Sequence, residues 1–227
     1  MRTVQLAAFA AALALVLPAA TDAKRSKDIS PYATFHFTYT KKKPGVATGL
    51  RYRVALKEQG EKAPVVERLD LTFAKGAKID TGAVPACTAT DEEIGSGSGC
   101  ADGSRIGAGS ATVYIGSPDN LVLDAAVYPS GPKSIVVVLS TNGSVIRILR
   151  GTLKGQTLTV LIPPLEANGH RVALVAFSLD IEGGTAKKPV FRTPKTCTKK
   201  GWDVVYAPTF DPIGKVSLTD TTACKKG

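Results

Sequence analysis

Apolar and polar residues alternate with a period of two in several short segments of the chain. The clearest are residues 33–40 (ATFHFTYT), 50–56 (LRYRVAL) and 67–73 (ERLDLTF). In the first of these, the aromatic residues Phe35, Phe37 and Tyr39 share one face. Because successive side chains of a β-strand point to opposite faces, the alternation predicts strands with one buried and one solvated face.

The second half of the chain continues with short segments that are rich in β-branched residues. They are residues 111–115, 120–128, 134–140, 144–150, 156–162, 172–182, 202–210 and 214–220. Turn residues separate them. Asn142-Gly143 is the strongest of these signals, since Asn-Gly between two strands favours a type I′ hairpin.

The spacing of these segments, with almost no helical periodicity, predicts an all-β fold. We expect a two-sheet antiparallel β-sandwich of jelly-roll or immunoglobulin-like type, because roughly ten strands in about 200 residues fit one such domain. Residues 24–227 would form it. Two small β domains that divide near residue 118 are the alternative, although no Pro/Ser-rich linker marks a boundary there.

The first 23 residues have the layout of a secretory signal peptide. Arg2 provides a basic start, residues 6–17 form an uncharged apolar core, and Thr21-Asp22-Ala23 supplies small residues around a cleavage point. A membrane-spanning helix needs about 20 apolar residues, so this core is too short to be one. The sequence therefore predicts a secreted, extracellular protein with no membrane span after signal removal.

Export changes the interpretation of the cysteines. The four are Cys87, Cys100, Cys197 and Cys224. Disulfides persist in oxidising compartments, and four cysteines allow three pairings that sequence alone does not distinguish. Closure of short loops favours Cys87 with Cys100 and Cys197 with Cys224. A chain of this length can bury a sizeable core unaided, so we interpret the bridges as loop restraints.

The chain is strongly basic, with 29 Lys and Arg residues against 19 Asp and Glu residues and a net charge of +10. Two lysine clusters that could contact a polyanion are Lys41, Lys42, Lys43 and Lys187, Lys188. Such a surface attracts anionic polymers, and solvated loops that aid solubility are the alternative interpretation. Few aromatic residues accompany these lysines, so specific nucleic-acid binding is not expected.

The glycine-rich stretch 95–99 (GSGSG) does not match a known catalytic or phosphate-binding motif. A dinucleotide fingerprint would need glycine at position 100, which is Cys100, and a G-x-S-x-G elbow would need serine at position 97, which is Gly97. The nearby acids Asp91, Glu92, Glu93 and Asp102 could bind calcium through oxygen ligands. They lack EF-hand spacing, and we interpret them as solvated acids in a loop that a disulfide closes.

No other residue pattern predicts a catalytic, metal or cofactor site. His36 and His170 lack the spacing that binds zinc. Asp180 and Glu182 share one face of a strand, about 7 Å apart, but the opposite face is apolar, which puts the acids toward solvent. Trp202 begins an alternating series that is typical of a core strand.

Several short motifs resemble one family when taken together. They are Pro85-Ala86-Cys87, the stretch Cys100-Ala101-Asp102-Gly103-Ser104-Arg105-Ile106-Gly107-Ala108-Gly109-Ser110-Ala111, and Thr193-Pro194-Lys195-Thr196-Cys197 followed by Trp202. This set resembles an uncharacterised family of exported, disulfide-containing β-rich proteins of high-GC Gram-positive bacteria. The resemblance implies secretion and two local disulfides. It brings no activity, so no catalytic residue is carried over.

These observations favour a secreted, non-catalytic binding or structural module at the cell surface. An anionic cell-envelope polymer is the expected partner of the two lysine clusters, and a surface protein is another. The alternative is a secreted hydrolase that acts on a polysaccharide or an ester, with its site assembled from distant strands.

Overall fold

A computed structural model of the chain describes residues 31–60, 63–97, 99–117, 120–182 and 184–225. The predicted signal peptide, residues 1–23, and the alternative domain boundary near residue 118 lie outside the described residues. No helix in the described ranges has the length and apolar character needed to cross a bilayer.

The described residues form strands and one short α-helix, α1, at Asp91–Gly95. The strands are β1 (Ala33–Tyr39), β2 (Leu50–Leu56), β3 (Val65–Thr72), β4 (Lys78–Ile79), β5 (Gly107–Tyr114), β6 (Leu121–Gly131), β7 (Ser134–Thr141), β8 (Ser144–Lys154), β9 (Thr157–Leu161), β10 (Glu166–Ala167), β11 (His170–Arg171), β12 (Ala173–Ile181), β13 (Phe191–Arg192), β14 (Trp202–Asp211), β15 (Gly214–Lys215) and β16 (Leu218–Thr222).

Twelve of the strands form one antiparallel sheet that curls on itself. Its order is β1-β2-β12-β5-β6-β7-β8-β9-β3-β14-β15, with β16 also paired to β14. The pairs β10-β11 and β4-β13 form two small additional sheets. The all-β fold is therefore confirmed. The two-sheet sandwich is not, because one large curled sheet, shaped as a half-barrel, replaces two separate hydrogen-bonded layers.

The alternating sequence pattern explains the local structure. In β1 and β2 the buried and exposed positions alternate along each strand, and Phe35, Phe37 and Tyr39 are all buried. Asn142 and Gly143 have φ angles of 49° and 80° and connect β7 to β8. Both residues of this two-residue turn thus have positive φ, as the predicted type I′ hairpin requires.

Side chains join the two edges of the curled sheet. The amide nitrogen of Phe37 in β1 donates to Oδ2 of Asp220 in β16 at 2.8 Å, and the amide nitrogen of Tyr39 donates to Oγ1 of Thr222 at 3.3 Å. Behind this seam, the ring of Tyr206 in β14 lies 5.2 Å from that of Phe35. Aromatic packing therefore fills the interior between β1 and β14.

The two disulfides differ in position, because the first lies on the outer face of the sheet whereas Cys224 of the second packs against the main core. Cys87 is bonded to Cys100, and Cys197 is bonded to Cys224, which are the pairings that local closure favours. Cys87 and Ile94 of α1 pack on the outer face of β7, against Val136 and Val138. The first bridge thus holds a helical loop against the outside of the sheet.

Candidate functional site: a cavity inside the curled sheet

The inner face of the sheet encloses an apolar cavity of about 300 Å³. Side chains from most strands of the sheet line it. Phe37 and Val127 belong to its wall, and each is only 1% exposed, so the cavity lies in the interior of the protein. Genuinely apolar cavities of this kind exclude water and bind apolar molecules.

The distribution of side-chain sizes around the sheet explains why this space is not filled. Aromatic ring contacts are concentrated among β1, β2, β14 and Phe73, which directly follows β3. The inner faces of β5 to β9 carry smaller aliphatic residues instead, and Ala111 and Gly151 are buried at inward positions. The rings therefore pack on one another in the aromatic half of the interior, and the cavity lies between this half and the aliphatic half.

One end of the cavity, the basal end, is closed. The small sheet β4-β13 covers it, and Ile79 and Phe191 of that sheet contribute to the wall. Thr81 is one of the few polar residues of the wall, and its Oγ1 donates to the carbonyl oxygen of Gly131 at 2.7 Å. Its hydroxyl is thus satisfied by the protein, and the basal end offers a ligand apolar contacts.

At the opposite end, the mouth, residues 162–172 fold across the cavity. This capping segment contains the β10-β11 pair, and its residues Leu165 and Ala167 line the cavity while remaining partly exposed. Nδ2 of Asn168 donates to the carbonyl oxygen of Ile115 at 3.2 Å, and Arg171 forms a salt bridge with Asp211. Polar contacts, and the packing of Ile162 and Val172 against the core, therefore hold the capping segment in place.

A β-bulge near the mouth changes which side chains of β8 point inward. Arg147 pairs with Leu139 of β7, and Val145 pairs with Ser140, so Ile146 is the extra residue. A bulge of this kind re-aims side chains on the longer strand. Both Ile146 and Arg147 consequently line the cavity.

Arg147 is the charged residue among the described residues of the cavity wall. Its Nη2 donates to the carbonyl oxygen of Pro163 at 3.0 Å, which connects β8 to the capping segment. Two tyrosines of the wall, Tyr52 and Tyr206, are buried, and burial raises the pKa of both phenols well above the ordinary value. They therefore remain neutral, and the part of the wall that the structure describes presents one cation among mostly apolar groups.

The structure brings the two predicted lysine clusters to the same end of the sheet. Residues 41–43 follow β1 and residues 187–188 follow β12, and all five side chains are exposed. Both strands are antiparallel to β2, so the chain leaves both at the basal end. The amide nitrogen of Lys225 donates to the carbonyl oxygen of Lys42 at 2.9 Å, which adds another lysine to this region.

The predicted acidic pair lies beside these lysines. Asp180 and Glu182 are both exposed and line an open groove of about 340 Å³ together with Lys41 and Thr185. Oδ1 of Asp180 accepts a hydrogen bond of 2.8 Å from Nη2 of Arg53. The orientation toward solvent is as the alternation predicts, and Asp180 has a structural partner.

A shallower depression of about 260 Å³ on the outer face contains His36, Ser110 and Ser178. Ser110 Oγ and Ser178 Oγ are 3.0 Å apart. His36 and Ser178 both pair with Arg53, which lies on the strand between them. Two strand spacings of about 4.8 Å separate the backbones of the histidine and the serine. Among the described residues no hydrogen bond joins His36 to either serine, and Nδ1 of His36 lies 3.8 Å from Oδ2 of Asp220 instead.

The remaining sequence candidates have structural roles. Trp202 is 2% exposed, and its Nε1 donates to the carbonyl oxygen of Thr196 at 2.8 Å, so it belongs to the core. The ring of His170 contacts that of Tyr114, 6.5 Å away, under the capping segment. Asp91 forms an ion pair with Arg150 on the outer face of β8.

Comparison of the chain with protein-family models, curated proteins and solved structures gives no match.

Proposed function

We propose that the protein is a non-catalytic binding protein for a small apolar ligand, which it holds in the cavity of the curled sheet. The apolar wall of this 300 Å³ cavity is the observation that supports the proposal most directly. Ligand pockets commonly have volumes of about 300–1,000 Å³ and predominantly hydrophobic walls with few polar groups. The cavity has that composition and lies at the lower end of that range.

The volume limits the kind of ligand. It is roughly twice that of the ~150 Å³ apolar cavity that admits benzene. Removing the apolar surface of one methylene group from water contributes about 0.8 kcal/mol to the free energy of binding. A single hydrocarbon chain or a small ring system therefore fits the space, whereas a two-chain lipid does not.

The wall chemistry favours binding over catalysis. Thr81 is hydrogen-bonded within the protein, and Tyr52 and Tyr206 are held neutral by burial. General acid–base or nucleophilic catalysis needs a titratable group or an activated nucleophile beside the substrate. The outer-face depression with His36 and the serines is a weaker candidate for a catalytic site, because the histidine lies two strands from Ser178.

Export remains part of the proposal. The signal-peptide pattern of residues 1–23, the two disulfides and the resemblance to exported β-rich proteins of Gram-positive bacteria support an extracellular location. A secreted protein with an apolar cavity would shield a hydrophobic molecule from water.

Titration of the delipidated protein with an apolar environment-sensitive dye tests the function. We expect saturable binding at one site per chain, and displacement of the dye by dodecanol but not by a sugar. Dye binding that rises without saturation, or that dodecanol does not displace, would contradict the proposal.

A second function, contact with an anionic envelope polymer, is favoured by the common location of the two lysine clusters. Replacement of Lys41, Lys42, Lys43, Lys187 and Lys188 by Gln should reduce sedimentation with isolated cell wall at low salt. High salt should reduce it in the wild type as well, because exposed charges are screened. Lys57→Gln at the mouth end serves as the control, and equal sedimentation of all variants would contradict the contact.

A further inference from the structure

Arg147 is the one charged side chain among the described residues that line the cavity. Its inward position follows from the structure of β8. Leu149 and Leu153 of the same strand are buried and line the cavity, and Arg147 lies on their face by regular alternation. The bulge at Ile146 then reverses the alternation for the residues before it. A cation is thus built into the inner face of the sheet, close to the mouth.

The arginines of the strands differ in their partners. Arg53, Arg68, Arg150 and Arg171 each form a salt bridge with an aspartate. Arg51 and Arg192 form none among the described residues, but neither of them lines the cavity. Within the described part of the chain, Arg147 has no such ion pair. Its one hydrogen bond there to another residue goes from Nη2 to the carbonyl oxygen of Pro163, while a guanidinium group has five N–H donors.

A half-buried guanidinium group beside apolar walls favours an anionic partner. Taking a charge out of water is costly unless it is paired and hydrogen-bonded. The planar fork of arginine matches carboxylate and phosphate oxygens through two parallel N–H···O bonds. An anion at this site would be held at the mouth, where its remaining oxygens can stay hydrated.

The direction of the cavity limits the shape and polarity of the part of the ligand that extends beyond Arg147. From Arg147 the inner face of β8 continues past Leu149 to Leu153, a distance of about 20 Å at 3.3 Å per residue. This path leads from the mouth to the closed basal end between aliphatic side chains. A ligand anchored at Arg147 therefore needs a slender apolar tail.

We propose that the ligand is a single-chain acyl amphiphile with an anionic oxygen head group, which Arg147 binds at the mouth while the chain extends toward the basal end. The proposal rests on the binding function proposed above. Carboxylate and phosphate monoester heads share the required chemistry, and the capping segment lies over the head because Arg147 also contacts Pro163.

Displacement titrations with dodecanoate, dodecyl phosphate and dodecanol test this assignment. We expect both anions to bind the wild type about tenfold or more tightly than dodecanol, because hydrogen bonds to charged groups are among the stronger ones. The anion that binds more tightly identifies the head group. Arg147→Met, which keeps an unbranched side chain, should bind all three ligands with the affinity that the wild type has for dodecanol.

Two further variants separate recognition from structure. Arg150→Met removes a cation from the outer face of the same strand and should keep the preference for anions. Arg147→Lys should keep part of it. Equal binding of dodecanoate, dodecyl phosphate and dodecanol to the wild type would overturn the assignment, as would an equal loss of dodecanol binding in Arg147→Met. Failure of dodecanol to bind the wild type would instead refute the binding function itself.

Discussion

Oγ1 of Thr159 in β9 donates a hydrogen bond of 2.7 Å to Oδ1 of Asp70, its cross-strand neighbour in β3. Asp70 is 7% exposed and also accepts hydrogen bonds from Arg68 and Lys215. Burial of the carboxylate raises its pKa, but the three hydrogen bonds outweigh this effect and lower the pKa to about 2. One carboxylate thereby connects three strands that support the cavity wall.

Asp70 should make the protein less stable in acid. An unfolded aspartate has a pKa of about 3.9, so the depressed pKa in the folded state contributes about 2–3 kcal/mol to the free energy of unfolding above pH ~4. This contribution is lost as the pH falls from about 4 toward 2. Urea unfolding at a series of pH values should show a large difference between wild type and Asp70→Asn near pH ~6, which shrinks in that window. Asp124→Asn on an exposed site is the control, and a pH-independent difference would contradict the assignment.

Filling the cavity should abolish ligand binding without unfolding the protein. Ala111 is 1% exposed and lines the cavity, so Ala111→Phe places a ring in the space that the ligand needs. We expect apolar-dye affinity to fall by about tenfold or more, with a change in unfolding free energy of less than about 2 kcal/mol because the space is already open. Val122→Phe, at a 58% exposed position on the neighbouring strand, should leave binding unchanged.

Removal of the first disulfide should affect stability more than binding. In the chain-entropy model the Cys87–Cys100 loop contributes about 3 kcal/mol, and the double replacement Cys87→Ser/Cys100→Ser should cost about 2–3 kcal/mol in urea unfolding. The bridged loop packs on the outer face of β7, away from the cavity. We therefore expect the dye affinity to change by less than about twofold. A large loss of affinity in a folded variant would show that the outer loop shapes the cavity.

The hydrogen bond across the seam predicts a further stability effect. Asp220→Ala removes the acceptor of the Phe37 amide and leaves a buried donor unsatisfied, which should cost about 1–3 kcal/mol. Asp220→Asn keeps an acceptor oxygen and should cost less. Asp203 is exposed and accepts a hydrogen bond from Thr221 on the same pair of strands, so Asp203→Ala is the matched control. Equal thermal stability of the Asp220 and Asp203 variants would contradict a special role for the seam.

The sequence is sufficient to predict most strands because alternation is a local property. The alternation over residues 50–56 predicts a strand, and β2 spans Leu50–Leu56. The Asn142-Gly143 turn can be predicted equally well, because its positive φ angles depend on two adjacent residues.

The closure of the sheet could not be predicted in the same way. Alternation predicts which face of a strand is buried, but it does not predict which other strand pairs with that strand. The pairings of β12 with β2 and with β5 join segments that are distant in sequence. The expected sandwich and the observed curled sheet therefore share the same strands and differ in partners.

The inward position of Arg147 could not be predicted from the sequence for a related reason. A regular strand over residues 144–150 would place Ile146 and Arg147 on opposite faces. The bulge that puts both on the cavity side is defined by the register with Leu139 and Ser140 of β7. Helix α1, in contrast, has a local signal in the sequence, because Thr90 and Glu93 have the spacing of a capping box and form one in the structure.

The seam between β1 and β16 has a consequence for how the chain reaches its final form. Phe37 and Asp220 are 183 positions apart in the sequence. Contacts of such wide separation form late, because the loss of chain entropy precedes any gain from the contact. During synthesis β1 can pair with β2 early, but its amide groups lack their β16 acceptors until residues 220–222 have emerged.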